Sequence, residues 1–440
     1  MRIAWFTPFS RLSAIGRFSA AVAASLSRIV DIDLCYFDAG EVHDAAVSTK
    51  RFRSAASVSD STLSAYDSVI YNLGNHLPFH REIYLLSQRW PGVCILHDFV
   101  MHHFFAAYYF EYLRDPGAYH LMMQRVYGSK APTSERVWET DDVVQFPLFE
   151  ESIRGALGVI THSKFFKERA EIAFAGPVAR IPLAYDARKP HAEMSRGQLG
   201  ITDDQLLVVT VGHVNPNKQV EYVLHALGKL GSLSQSIVYV VLGPIAPDYG
   251  RKLKSVVREQ GLESTVLFLG QVSDEVLCAY LAAADICINL RFPAMEGASA
   301  SAVEEMLFGK PLIVTNTGFF SELPDECVTK VRPGSEEEVV SALRKLGSDA
   351  ATRTLLGTRA KAFAEVEFHP DHYAKKVVDF MWEVQSAKPI LGLADRVGIE
   401  LWRMGVQANT SIVNNVAREM GNMFGTKGSE TGGGENKPAL

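Results

Sequence analysis

The sequence predicts an α/β protein of two Rossmann-like, doubly wound domains joined by a short polar linker. Three observations carry this. Short apolar runs alternate with helix-spaced segments in both halves of the chain, the pattern of mainly parallel sheets covered on both faces. At 440 residues the chain exceeds one ordinary hydrophobic core. A polar stretch at 187–200 interrupts the alternation, which then starts afresh.

In the first half, residues 2–6 (RIAWF) read as a strand stopped by Thr7-Pro8, and 14–28 as a helix rich in alanine. Further strands are expected at 32–36, 68–72, 93–97 and 158–161. Gly16 sits where the first loop turns into its helix, but no G-x-G-x-x-G accompanies it, so a dinucleotide fingerprint is absent. The segment 99–127, dense in aromatics, methionine and histidine, reads either as two helices packed on the sheet or as a wall for an acceptor. Residues 130–145 are polar and without period, and are expected to form a loop over a cleft mouth. The first domain is assigned to 1–186.

The second series has strands at 206–212, 236–243, 265–270, 285–290 and 311–315, with helices near 218–230, 248–260 and 273–283. Helices at 335–346, 350–366 and 370–387 close it, which assigns the second domain to 201–367 and leaves 368–388 as a terminal helix. Residues 389–425 are a helical extension; 426–440, polar and rich in glycine, are expected to be disordered. The extension suits self-association through 390–424. Weak membrane-surface binding is the lesser alternative, because its polar face carries acids beside Arg396, Arg403 and Arg418.

With 47% apolar and 21% charged residues the composition is that of a soluble globular protein. A net charge of −6, without a dense basic run, argues against nucleic acid as a partner. Five scattered cysteines, none in a C-x-x-C pair, argue against a disulfide framework and a zinc site and for a reducing compartment. Neither a leader nor an 18-residue apolar span is evident, so a cytoplasmic location is expected, with the inner membrane face as the peripheral alternative.

The chemistry concentrates in 289–311, NLRFPAMEGASASAVEEMLFGKP. This reads as a strand end, a loop with Arg291 and Glu296, and a helix over 301–308 stopped by Gly309-Lys310-Pro311. Seven residues separate Glu296 from Glu304, which places one carboxylate ahead of the helix and the other inside its second turn. Gly297, Ala298, Ser299 and Ala300 leave room for a ligand between them. Unpaired N–H groups at the helix start suit a diphosphate, and the carboxylates suit hydroxyls: together, a sugar nucleotide. The competing reading is a capping box over 301–304, with Glu304 bonded to its own N-cap.

This stretch resembles the Glu, seven residues, Glu signature of family-4 retaining glycosyltransferases at Glu296, Gly297, Glu304, Met306, Gly309 and Pro311. The loop Gly212-His213-Val214-Asn215-Pro216-Asn217-Lys218 is similar to the family's diphosphate loop, with Lys218 at the lysine position and His213 where an arginine is usual. A charge at His213 then depends on pH, and Arg291 is a candidate substitute unless a salt bridge across the cleft occupies it. His97-Asp98, at a strand end, resembles the family's cleft histidine, which reaches the transferred sugar. Glu322 sits in a recognisable family position near the base or the domain interface.

The resemblance implies the GT-B arrangement, two such domains facing across a cleft, with the helix 368–388 crossing back to the first domain. It implies transfer from a nucleotide diphosphate sugar to a glycan, lipid-linked or protein hydroxyl with retention of configuration, and no metal or other cofactor. The catalytic candidates are His97, Lys218 and Glu296. The donor-binding candidates are Gly16, Gly212, His213, Lys218, Arg291, Glu296, Gly297, Ala298, Ser299 and Glu304. No Asp-x-Asp metal motif stands in the loops that carry the candidate residues. A sugar-nucleotide epimerase, a phosphorylase and a non-catalytic nucleotide-sugar scaffold are the rival readings.

Overall fold

A computed structural model describes residues 1–37, 40–132, 136–186, 188, 194–407 and 410–424. Two parallel sheets organise the chain up to Asp379. The first holds β1 (Arg2–Phe6), β2 (Asp31–Tyr36), β3 (Ser48–Arg51), β4 (Ser68–Leu73), β5 (Val93–Leu96), β6 (Gly158–Thr161) and β7 (Val178–Arg180), in the order β3-β2-β1-β4-β5-β6-β7. The second holds β8 (Leu206–Val211), β9 (Ile237–Leu242), β10 (Val266–Gly270), β11 (Ile286–Asn289), β12 (Leu312–Thr315) and β13 (Thr329–Val331), in the order β10-β9-β8-β11-β12-β13. The two Rossmann-like domains read from the sequence are both present.

Central strands are buried along their whole length, as helices on both faces require: all six residues of β9 are buried, and so are all four of β5. Each order reverses beside the first strand of its sheet, between β1 and β4 and between β8 and β11. Such switch points open a crevice at the carboxyl ends of the strands. The polypeptide leaving β1, β5, β6, β8 and β11 is therefore where a site is built.

Three expectations need correction. The outer strands β3 (STKR), β7 (VAR) and β13 (TKV) escape the apolar-run criterion because edge strands are short and polar. Residues 130–145, as far as they are described, form no loop over a cleft mouth. Val137 and Val143 are buried, and Trp138 packs near His102 and Tyr119. The segment 99–127 does hold the two packed helices, His102–Ala107 and Pro116–Tyr127, with Phe104, Phe105, Tyr119, Met122 and Met123 in the core and a π-helical turn, Tyr108–Tyr112, between them. The terminal helix does not stop near 387 but runs Pro370–Arg403 with Pro389 inside it, followed by Ser411–Phe424. Residues 187 and 189–193 of the expected linker and all of the 426–440 tail lie outside the described residues.

Candidate functional site

A cavity of about 680 Å³ opens between the carboxyl ends of the two sheets. One rim of it is closed by main chain. The amides of Phe99 and Val100 both donate to Met295 O (2.8 and 2.9 Å), and Gly297 N donates to His97 O (2.8 Å). A Cβ on Gly297 would stand 2.9 Å from His97 O, so this close approach requires glycine. Gly297 belongs to the seam and not to the cavity wall. Gly16 is also a packing residue: a Cβ there would stand 2.5 Å from Pro8 O, and its neighbours Ile15 and Arg17 line the cavity instead.

The structure brings together His97, Gly212, His213, Lys218, Arg291, Glu296, Ala298, Ser299 and Glu304, all of which line this one cavity. The helix on which they converge is Ala300–Leu307. Its N-cap is Ser299, whose hydroxyl accepts from Ala302 N. An N-cap two residues earlier than the capping-box reading requires removes the box over 301–304, because Ser301 is already inside the helix. Glu304 is only 2% exposed. Its Oε2 accepts from Arg188 (2.5 Å) and the Tyr185 hydroxyl lies beside the carboxylate, while its Oε1 makes no hydrogen bond of ordinary geometry among the described residues. A buried carboxylate oxygen left in that state is a standing demand for a donor.

The cations are all engaged within the protein. Arg291 pairs with Glu296 on its own loop (2.5 Å) and donates to Leu290 O, so its ion pair lies inside the second domain and not across the cleft. Lys218 does not open a helix. It ends a 3₁₀ turn, Pro216–Lys218, and helix Val220–Gly228 starts after the left-handed Gln219. Its Nζ turns inward to Val211 O (2.5 Å), under Gly212, whose absent side chain leaves the ammonium its space. Burial, with Arg291 nearby, holds the Lys218 pKa well below the ordinary lysine value against the opposing pull of Glu305 and Glu296. His213 is exposed at the cavity edge.

Sequence reasoning passed over Glu305, Arg17, Asp98, His162, Arg188 and Asp274. Glu305 is wholly buried behind the site, where Asn289 Nδ2 donates to it (2.9 Å). Burial pushes its pKa up to about 8 despite Asn289, Lys218 and Arg291. Its signal was its place next to Glu304: one step along a helix turns a side chain by about 100°, here toward the polar end of β11. Arg188 bonds Glu304 and lies 3.0 Å from Asp274, which also meets Arg17 from the first domain at 3.8 Å. These partners are far apart in sequence, and no periodicity announces them.

In the first-domain wall, both ring nitrogens of His97 face protein atoms. Nε2 lies 3.0 Å from Asn72 Oδ1 and Nδ1 lies 3.2 Å from His162 Nε2. The expected reach of this ring to a sugar is therefore not open through either nitrogen. Asp98, half-buried and facing Glu296, has its pKa raised to about 6, chiefly by loss of solvation. Glu322 takes the interface position of its two alternatives: its carboxylate accepts from Phe165 N (2.9 Å) of the first domain and faces Arg180. Among the described residues no cluster of three or more His, Cys, Asp or Glu side chains is placed to hold a metal ion. No described helix is long and apolar enough to cross a membrane.

Residues 192–363 match the family model described as Glycosyl transferases group 1. An uncharacterized glycosyltransferase of Methanocaldococcus jannaschii is 24% identical over 234 residues, which are 50% of this chain and 58% of the relative. The MMP alpha-(1->4)-mannosyltransferase of Mycolicibacterium hassiacum is 27% identical over 170 residues, 38% of each chain. The chain thus spans about half the length, or less, of these curated relatives. Among solved structures, Anabaena HepE in complex with UDP and glucose superimposes with a TM-score of 0.62 at 18% identity, covering 87% of this chain and 99% of its own. Sucrose-phosphate synthase from Thermosynechococcus elongatus gives 0.61 at 18% identity, covering 88% and 100%. These likenesses establish the fold, two Rossmann-like domains across a cleft.

Proposed function

We propose that the chain is a glycosyltransferase that moves a sugar from a nucleotide diphosphate sugar to a hydroxyl acceptor, with retention of configuration and without a metal. The observation that carries this reading is Glu304: a buried carboxylate in the cleft wall, with one oxygen held by Arg188 and the other in need of a donor. A ribose hydroxyl supplies that donor. The start of helix Ala300–Leu307 and Lys218 then meet the diphosphate. A diphosphate beside Nζ favours the protonated amine and so opposes the downward pull of burial on Lys218.

The step follows from charge placement. The bond from the anomeric carbon to the diphosphate oxygen breaks, and its electron pair stays on the diphosphate, which Lys218, His213 and the helix start stabilise. The acceptor oxygen attacks the same face, and its proton passes to a departing phosphoryl oxygen. Arg291 is committed to Glu296 and acts by holding that carboxylate in place.

Thermal shift with UDP-, GDP-, dTDP- and ADP-sugars tests donor binding, and release of nucleotide diphosphate, with and without EDTA, tests turnover. Stabilisation with EDTA-resistant release is the expected result. Release that EDTA abolishes and Mg²⁺ or Mn²⁺ restores refutes metal independence, and an inverted product refutes retention. Stabilisation without release makes the chain a nucleotide-sugar-binding scaffold; no stabilisation by any of the four overturns the reading.

A further inference from the structure

The two histidines in the first-domain wall pose a problem of proton counting. Asn72 Nδ2 donates to Phe6 O (2.9 Å), which turns the amide oxygen toward His97 Nε2, so that nitrogen carries a hydrogen. His162 Nδ1 lies 2.9 Å from the carbonyl of Ile181 and must carry one as well. His97 Nδ1 and His162 Nε2 then face one another at 3.2 Å, and in two neutral rings both are lone pairs. A hydrogen bond at that contact needs a third proton on the pair, and with it one positive charge.

We infer that His162 is a positioning residue for His97: the two rings act as one proton-binding unit, which takes up a single proton between His97 Nδ1 and His162 Nε2 when an anionic donor enters the cleft. The inference rests on the nucleotide-sugar reading for the identity of that anion. Both rings line the cavity. His80 behind His97 and Arg180 beside His162 oppose protonation, and the rings of Phe18 and Tyr373 flank the pair. Burial adds to this and holds both rings low, His162 at about 4. A diphosphate is the added negative charge that turns the balance. The new charge arises in the wall opposite Lys218, where Arg17, Arg188 and Arg291 are already neutralised by carboxylates.

Ring nitrogen and carbon resonances of histidine-labelled protein, followed from about pH 5 to 8 with and without UDP, test this. With UDP, His97 and His162 should shift together in one step at higher pH than without it. His162→Gln offers His97 Nδ1 an amide N–H and no titratable proton, so in that variant the His97 step should vanish while the protein stays folded. Calorimetry in buffers of different ionisation enthalpy should show wild type taking up about one proton more than His162→Gln. UDP affinity of wild type should correspondingly fall by up to about tenfold more per pH unit. His213 is common to both proteins, so the difference isolates the pair. Independent titration of the two rings, a His97 step that survives in His162→Gln, or equal proton uptake overturns the inference. Failure of UDP to bind counts against the uridine donor alone; pyrophosphate, the same charge without base or sugar, then decides the pair, and no joint step with it also overturns the inference.

Discussion

Glu304→Gln separates a ligand-binding carboxylate from a structural one. The amide keeps the shape but loses the charge at both oxygens. Because the cap of helix Ala300–Leu307 is Ser299, the substitution leaves the helix start alone. In the free protein it removes the Arg188 pair. Breaking a buried pair costs about 3–5 kcal/mol, but Arg188 is 22% exposed and keeps Asp274, so about 1–2 kcal/mol is the expected loss after that discount. In the complex it also weakens a charge-assisted bond to a donor hydroxyl, worth about 1.5–3 kcal/mol, or roughly ten- to hundredfold in Kd. Titration calorimetry with UDP measures the second effect and differential scanning calorimetry the first. An unchanged Kd with a lowered Tm would refute the reasoning, because Glu304 would then serve only as the anchor of Arg188.

Three further expectations follow from the site. His213→Arg fixes a positive charge at the cavity edge and should tighten donor binding; an unchanged Kd, by calorimetry, contradicts a contact between this position and the donor. Glu305 binds its proton more tightly folded than unfolded, so its contribution to stability is full below about pH 4.5, declines as pH rises, and is gone above about 8. Glu305→Gln should therefore flatten the fall of Tm across that window, and parallel wild-type and variant curves count against it. Gly297→Ala forces a methyl against the carbonyl of His97 and should lower stability by about 1–3 kcal/mol; a Tm within error of wild type would mean that the seam yields freely.

Much of the fold was legible because buried parallel strands write themselves as apolar runs: β1, β4, β5, β8, β9 and β12 have few polar residues to hide them. The edge strands β3, β7 and β13 were not, because pairing on one side only leaves them short and polar. The terminal helix was expected to end at 387, yet it runs on through Pro389. Within the site, the loop of Glu296 and the helix of Glu304 stood out through local spacing. What local spacing could not give was pairing at a distance. Arg188 with Glu304, His97 with His162 and Arg17 with Asp274 join residues whose proximity only the folded sheets create. The direction of Lys218 was likewise hidden, since its inward turn depends on the left-handed Gln219 and on Gly212.

The main-chain seam between Phe99, Val100 and Met295, and between His97 and Gly297, has a consequence for how this scaffold can vary. Its hydrogen bonds are made by groups that every residue except proline possesses, so this part of the contact between the two halves is written in backbone, beside the side-chain contacts of Glu322 and Asp274. Around one small residue that must stay a glycine, the seam itself constrains no side chain beyond the need for room. The two walls of the cavity are thus tied in register by groups that sequence change leaves in place.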